Sequence, residues 1–238
     1  MHEKVKKLYE LLRAEYGHKK RPKADALEVL IKTILSQNTN YKNYARAYEN
    51  LRKRFPTWEA LLAAEEREIA DAIRVGGLAE LKARRIKNAL QRIKEAAGEL
   101  DLDFLKDLDV NEAKKFLISL EGVGPKTAAC VLCFSLGKPV FPVDTHIFRI
   151  CRRLGLIKDA KRDEKSVEAL SKIFEDSACM DDDASSTLYA LHVNLIEHGR
   201  RICTARNPKC DACVLRALCE FRGRGNLERE EKQTAYET

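Results

Sequence analysis

The chain has 238 residues, 45% of them hydrophobic and 34% charged, which is enough for one large domain or two smaller ones with a buried core. Lys and Arg outnumber Asp and Glu by 44 to 37, and the net charge of +7 favours a polyanionic partner without specifying which one. Eleven Gly and six Pro without a repeated unit exclude collagen-like, low-complexity and solenoid proteins.

The N-terminal segment and the apolar runs predict neither export nor membrane insertion. Residues 1–20 carry charges throughout, and no apolar signal region interrupts them. The longest apolar stretch, at 127–136, is far shorter than the roughly 20 residues that a membrane-spanning helix needs. We therefore expect a cytoplasmic protein.

Taken in chain order, the apolar residues follow a helical period. They recur at intervals of three and four residues from Val5 to Tyr16 and again from Leu27 to Leu35. About six such segments are predicted between 25 and 136, separated by polar and Gly- or Pro-containing turns. Further helices are predicted at 145–154, 164–174 and 188–201.

The sequence contains no β-hairpin signal. The apolar run 140–143 is short and is interrupted by proline, so it predicts an extended connector rather than a strand. Beyond Cys219 the chain has almost no apolar residues, which predicts a tail without a packed structure. The predicted fold class is all-α.

Four of the eight cysteines form a dense cluster near the C-terminus. The spacing is C-x6-C-x2-C-x5-C, a pattern that suits either an iron–sulfur cluster or zinc. The long first gap and the single compact run favour a cubane 4Fe–4S cluster over the paired knuckles of a zinc ribbon. The candidate ligands are Cys203, Cys210, Cys213 and Cys219.

The other four cysteines are predicted to be small core residues, because a chain without a signal peptide rarely builds a disulfide framework. They are Cys130, Cys133, Cys151 and Cys179.

The first gap of the cysteine cluster contains Arg206 and Lys209. A cluster bound by four thiolates would hold this loop at both ends without a hydrophobic core beneath it. The loop therefore predicts a rigid basic surface that faces phosphates, with a structural role for the metal.

A helix-hairpin-helix motif is predicted where helices at 112–120 and 126–136 meet. Gly122 and Gly124 flank the apolar Val123, so the backbone can turn sharply and expose N–H groups at the start of the second helix. A DNA phosphate fits there, while the alternative is a plain turn between two helices. Pro125 suits the first helical position because it lacks an N–H.

Lys126 and Asp144 are the candidate catalytic residues. Lys126 lies in the first turn of a helix, where the dipole disfavours a cation, so a phosphate contact or covalent catalysis explains it better than stability. Asp144 opens the next helix and is predicted to cap it. A carboxylate fixed in this way can also stabilise a cationic transition state, so the two roles are compatible.

Four ordered motifs resemble endonuclease III, of the helix-hairpin-helix DNA glycosylase superfamily. They are Leu120-Glu-Gly-Val-Gly-Pro-Lys126, Phe141-Pro-Val-Asp144-Thr-His-Ile-Phe-Arg149, His198-Gly-Arg-Arg-Ile-Cys203 and the cysteine run. The resemblance implies a six-helix barrel domain at 24–137, a cluster domain at 1–23 and 138–222, and a flexible tail at 223–238. It also implies one 4Fe–4S cluster, a DNA-binding cleft between the two domains and a flipped base.

The resemblance assigns chemistry to two residues. Lys126 corresponds to the nucleophilic lysine and Asp144 to the catalytic aspartate of the family. It implies a bifunctional glycosylase and abasic-site lyase that removes oxidised pyrimidines from damaged double-stranded DNA in base excision repair. We expect it to be monomeric and associated with the nucleoid.

The resemblance also implies a set of DNA contacts. Gln37 or Asn38 is expected to fill the gap left by the flipped nucleotide, and Leu78 or Leu81 to wedge between base steps. The remaining predicted contacts are Gly122, Val123, Gly124, Thr127, His146, Arg149, Arg206 and Lys209.

Three departures from the family pattern leave the lesion open. Typical relatives have Ser-Ala-Gln-Ala-Thr at the position where this chain has Ser36-Gln-Asn-Thr-Asn40. Glu121 replaces the usual Pro of the hairpin, and Ile118 lies where several relatives have a carboxylate. Gln-Asn-Thr resembles some alkyl-purine glycosylases. The alternatives are therefore a glycosylase for alkylated purines or mismatched uracil or thymine, and a non-catalytic DNA-binding iron–sulfur protein.

Overall fold

The computed structural model describes residues 2–157, 161–178 and 183–221. Every regular element in these residues is helical and none is a strand, which confirms the predicted all-α class. None of the described helices has the length and apolar character needed to cross a membrane. Cys179 and the predicted tail at 223–238 lie outside the described residues.

The chain divides into two compact units, Met1–Arg21 with Val143–Thr238, and Pro22–Pro142. The helices are α1 His2–Tyr16, α2 Ala26–Leu35, α3 Tyr41–Arg54, α4 Trp58–Ala63, α5 Glu66–Ile73, α6 Ala79–Ala97, α7 Val110–Ser119, α8 Pro125–Phe134, α9 Thr145–Arg153, α10 Glu164–Ala178 and α11 Ala184–Arg201. Short 3₁₀ turns cover Arg74–Gly76, Asp103–Lys106, Cys210–Ala212 and Arg216–Leu218. The assignment of a barrel and a cluster domain stays a prediction.

The unit Pro22–Pro142 contains seven α-helices, one more than the six expected from the apolar period. The difference arises at α4 and α5, which are only six and eight residues long. Only Ala64 and Glu65 separate them, so the apolar residues of the two helices merge into one apparent period.

The core of this unit is built around α8 and α2. All seven residues from Thr127 to Cys133 are buried, so α8 is enclosed on all sides. It packs against α2, whose buried face includes Leu27, Ile31 and Ile34, and against α7. The start of α8, which carries Lys126, is thus fixed by core packing.

Two short connections in this unit have an uncommon backbone. Asn38, after α2, has φ 52°, and Leu78, before α6, has φ 53°. They are the two residues other than glycine with positive φ in the described chain. Such conformations cost energy and persist where the surrounding structure holds them.

In the other unit, α1 packs against α10 and α11. The hydroxyl oxygen of Tyr16, at the end of α1, lies 2.8 Å from His198 Nδ1. Helix α11 begins at Ala184 rather than at the expected residue 188, because the Asp183 side chain accepts a hydrogen bond from Ser186 N and caps the helix earlier.

Candidate functional site

The link between α7 and α8 forms the predicted hairpin. Val123 is 4% exposed, and its N–H donates to Leu120 O at 3.0 Å. Gly122 has φ 77°, and a Cβ atom there would lie 2.4 Å from Arg85 Cδ. The positive φ therefore favours glycine, while a Cβ atom there would also require the flexible Arg85 side chain to move. The Val123 side chain belongs to the core, so any DNA contact at this residue uses its main chain.

The N-terminus of α8 has the composition of an anion site. Its N-cap residue, Gly124, has no side chain to cap the helix, and Pro125 occupies the first helical turn as predicted. Lys126 follows directly and is partly buried, while Thr127 is buried. The helix dipole and the main-chain N–H groups both favour a phosphate at this point.

The hydrogen bonds of Gln37 distinguish it from Asn38. Arg85 Nη1 donates to Gln37 Oε1 at 3.0 Å, and Gln37 Nε2 donates to Gly122 O at 2.9 Å. The Gln37 amide is thus engaged at both ends, by Arg85 of α6 and by Gly122 of the hairpin. The Asn38 side chain is exposed. The structure therefore favours Asn38 as the group that can enter DNA.

Glu121, which stands in place of the usual Pro, ties the hairpin to α6. Its carboxylate accepts hydrogen bonds from Asn88 Nδ2 at 2.8 Å and from Arg84 Nη2 at 3.1 Å. The bond from Asn88 and the charge of Arg84 lower the pKa of Glu121. Arg84 and Asn88 lie one helical turn apart on α6, so both side chains can reach the same carboxylate.

The two candidate wedge residues differ in exposure. Leu78 is 51% exposed, whereas Leu81 is only partly exposed. Leu78 also has a left-handed backbone at the start of α6. Ile118, at the position where several relatives have a carboxylate, is 39% exposed. Leu78 is the better candidate for insertion between bases.

Asp144 is the N-cap of α9, as predicted. Its Oδ1 accepts a hydrogen bond from Ile147 N at 2.8 Å. The cap fixes the direction of the carboxylate and uses one of its two oxygens. A partly exposed carboxylate with a fixed orientation can stabilise positive charge that develops beside it.

His146 and Arg149 lie against α11, and their predicted contacts with DNA stay a prediction. A Cβ atom on Gly199 would lie 2.8 Å from His146 Cβ, so glycine allows α9 and α11 to approach closely. The Arg149 guanidinium donates to Gly199 O at 3.0 Å and to Cys203 O at 2.9 Å, and it lies 3.1 Å from His146 Nδ1. Arg149 therefore holds the start of the cysteine segment in place, a role its sequence position alone does not reveal.

The four clustered cysteines lie after α11, in the segment that contains two 3₁₀ turns. Arg153 Nη1 donates to Cys203 Sγ at 3.1 Å, and His198 Nε2 lies 3.4 Å from Cys213 Sγ. Burial, with smaller contributions from Cys203, Cys219 and Cys210, raises the pKa of Cys213 to about 11. The four sulfurs are therefore electrostatic neighbours.

Four thiols with N–H donors aimed at two of the sulfurs form a donor set that fits an iron–sulfur cluster. Burial lowers the pKa of His198 to about 4, so its ring is neutral. In the tautomer that accepts a hydrogen bond from Tyr16 at Nδ1, the ring proton lies on Nε2 and can be donated to Cys213 Sγ. The fit is one of donor chemistry and spacing, since in the described residues no three or more His, Cys, Asp or Glu side chains are placed so that they could hold a metal ion.

The loop between Cys203 and Cys210 is braced from α9. Arg153 donates to Thr204 O at 2.7 Å and to Ala205 O at 3.0 Å. Arg206 and Lys209 are exposed on this loop, as the sequence predicts for a phosphate-binding surface. Outside the segment, Cys130, Cys133 and Cys151 are buried, which confirms them as core residues.

The hairpin, the uncapped helix start with its lysine and the segment of four cysteines define a helix-hairpin-helix DNA repair protein with an iron–sulfur domain. Residues 31–176 match the family model of the HhH-GPD superfamily base excision DNA repair protein, and residues 203–219 match the iron-sulfur binding domain of endonuclease III. The chain belongs to the HhH-GPD superfamily.

Individual relatives agree with this assignment. Endonuclease III of Sulfolobus acidocaldarius is 36% identical over 194 residues, which cover 81% of this chain and 80% of that protein. An Arabidopsis thaliana relative is 47% identical over 148 residues, and the match covers 62% of this chain but only 50% of that protein. The fold is similar to that of a non-covalent endonuclease III–DNA complex, with a TM-score of 0.74, 24% identity and coverage of 96% and 99% of the two chains.

The iron–sulfur domain gives a direct spectroscopic prediction. The purified protein is expected to be brown and to absorb at about 400 nm, because thiolate-to-iron charge transfer gives this colour. Replacing Cys213 with Ser should bleach the absorption, whereas the same change at the buried core residue Cys130 should leave it intact. Absorbance spectra and iron analysis of the two variants measure these effects. A colourless protein with stoichiometric zinc would contradict the prediction.

Proposed function

We propose that the protein is a bifunctional DNA glycosylase and abasic-site lyase that excises oxidised pyrimidines from double-stranded DNA in base excision repair. The observation that carries the proposal is Lys126 in the first turn of α8, directly after the hairpin. A lysine there opposes the helix dipole, so stability does not explain it. A role as an amine nucleophile beside a phosphate-binding turn does explain the lysine.

The proposed reaction uses two side chains in sequence. Asp144 stabilises the positive charge that develops on the sugar as the bond to the damaged base breaks. The neutral amine of Lys126 then attacks the anomeric carbon, and Asp144 helps to remove the amine proton. The ring opens to a Schiff base, and loss of a proton from the neighbouring carbon breaks the C–O bond to the 3′ phosphate.

DNA binding in this proposal combines backbone contacts with insertion. The hairpin N–H groups around Gly124 hold a phosphate, and Asn38 and Leu78 occupy the space opened when the damaged nucleotide leaves the stack. Four cysteine thiolates hold one 4Fe–4S cluster, which anchors the basic loop of Arg206 and Lys209. The protein acts as a monomer.

A second candidate keeps the fold and the lyase chemistry but changes the base. Ile118 presents an apolar side chain, 39% exposed, where several relatives have a carboxylate. This change favours a less polar base, such as an alkylated purine or a mismatched uracil or thymine. A non-catalytic DNA-binding iron–sulfur protein could use Lys126 only as a phosphate contact, and the presence of both Lys126 and Asp144 argues against it.

Borohydride trapping tests the proposed function. Duplexes carry thymine glycol, 3-methyladenine, uracil opposite guanine or a plain abasic site, and borohydride reduces any Schiff base to a stable protein–DNA adduct. An adduct with thymine glycol is expected. Adducts with another base alone would support the second candidate, and the complete absence of an adduct would overturn the lyase.

The basic loop gives a separate binding prediction. Replacing Arg206 and Lys209 together with Ala should weaken binding to damaged and undamaged duplexes alike, because both side chains contact phosphates. The slope of log Kd against log salt should fall by about two, roughly one for each lost contact. A matched variant removes two exposed charges from α1, Lys6 and Lys7, and should leave the slope unchanged. An effect confined to one DNA sequence would contradict the phosphate role.

A further inference from the structure

A lysine lies completely inside the unit Pro22–Pro142. Lys82, on α6, is 1% exposed, and burial lowers its pKa. Lysine is among the residues least often buried, since its charged end loses water there. Its amine nitrogen instead donates to Leu35 O at 2.8 Å and to Gly76 O at 2.9 Å.

Both acceptors end a helical element. Leu35 is the last residue of α2, and Gly76 is the last residue of the 3₁₀ turn before α6. Carbonyl groups at helix C-termini lack helical partners and carry the negative end of the dipole. A buried lysine satisfies one carbonyl of each element and so joins two segments that are distant in sequence.

Each of these carbonyls lies two or three residues before a residue that the proposed function places in DNA. Asn38 comes three residues after Leu35, and Leu78 comes two residues after Gly76. Both have the left-handed backbone and an exposed side chain. In addition, the main-chain N–H of Lys82 donates to Leu78 O at 2.9 Å.

We propose that Lys82 is a positioning residue that fixes the spacing between the Asn38 loop and the Leu78 loop, so that both side chains enter the duplex together. The inference rests on the insertion step of the proposed function. A left-handed residue other than glycine keeps its conformation only where its surroundings hold it, and Lys82 supplies a common anchor beneath both. Without that anchor, each loop is free to relax independently.

The test compares two lysines of the same helix. Lys82→Met keeps an unbranched side chain, one atom shorter than lysine, but removes the nitrogen. Lys87→Met makes the same change at a residue whose amine donates to Ala64 O at 2.6 Å, away from both loops. Lys82→Gln has a side chain one atom shorter and can reach one carbonyl at a time. It provides a milder variant should Lys82→Met fail to fold.

Insertion is read from the base opposite the lesion. A duplex with tetrahydrofuran, an uncleavable abasic analogue, opposite 2-aminopurine reports unstacking as a rise in fluorescence. At saturating protein, Lys82→Met is expected to give below about a third of the wild-type rise, since a small misplacement abolishes a shared geometry. Lys82→Gln should be intermediate and Lys87→Met should match wild type.

A wild-type rise with Lys82→Met, or with Lys82→Gln if Lys82→Met does not fold, would overturn the inference. So would equal losses at Lys82 and Lys87, because these would reflect stability alone. Absence of any rise with the wild-type protein removes the insertion step and the inference with it. Borohydride trapping on a cleavable abasic duplex tests the lyase reaction separately from insertion. If the wild-type protein gives a normal fluorescence rise but no trapped adduct, the lyase is overturned and the role of Lys82 is not.

Discussion

Replacing Lys126 with Gln is expected to abolish the borohydride adduct and to slow strand cleavage at an abasic site by at least about a thousandfold. Glutamine is polar and similar in length but cannot form a Schiff base. Binding to a tetrahydrofuran duplex should change by less than about threefold, because the phosphate site at the start of α8 uses main-chain N–H groups. Gel analysis of adduct and product, with a binding titration, measures these effects.

The control for this variant is Lys94→Gln, which makes the same change at an exposed lysine in the last turn of α6. It should trap and cleave like wild type. Base release by Lys126→Gln should persist at a reduced rate, with water in place of the amine and Asp144 still present. An undiminished adduct would show that another amine is the nucleophile and would leave Lys126 a phosphate contact.

Features set by neighbouring residues could be predicted from the sequence. The hairpin follows from Gly122 and Gly124 around one apolar residue, and the cap of α9 follows from an Asp before a helical period. In each case the deciding interactions join residues within a few positions of one another. The same locality explains why the apolar period predicted the helices but merged α4 with α5.

Contacts between distant segments could not be predicted, because no local pattern encodes them. Arg85 donates a hydrogen bond to Gln37 across 48 positions, and this bond favours Asn38 where the sequence left Gln37 and Asn38 equally open. Lys82 reaches Leu35 across 47 positions, and its place in a charged stretch of α6 conceals its burial. The hydrogen bond from Arg149 to Cys203 O, across 54 positions, is likewise not encoded locally.

Replacing Asp144 with Asn is expected to slow base excision by at least about a thousandfold while leaving the fold intact. Asparagine caps a helix about as well as aspartate, so the free energy of unfolding should change by less than about 1 kcal/mol. The variant loses only the negative charge that stabilises the cationic sugar and accepts the amine proton. Single-turnover excision and chemical denaturation measure the two effects separately.

Asp109→Asn is the matched control, because Asp109 is the N-cap of α7 and likewise accepts from the N–H three residues on, that of Glu112 at 3.0 Å. It removes one charge from an N-cap and should leave excision unchanged. Asp144→Ala, in contrast, removes both charge and cap and should also destabilise the protein by about 1 kcal/mol. Equal excision by wild type and Asp144→Asn would reduce Asp144 to a cap. Loss in Asp144→Asn but not in Asp109→Asn would assign the effect to the charge at the start of α9.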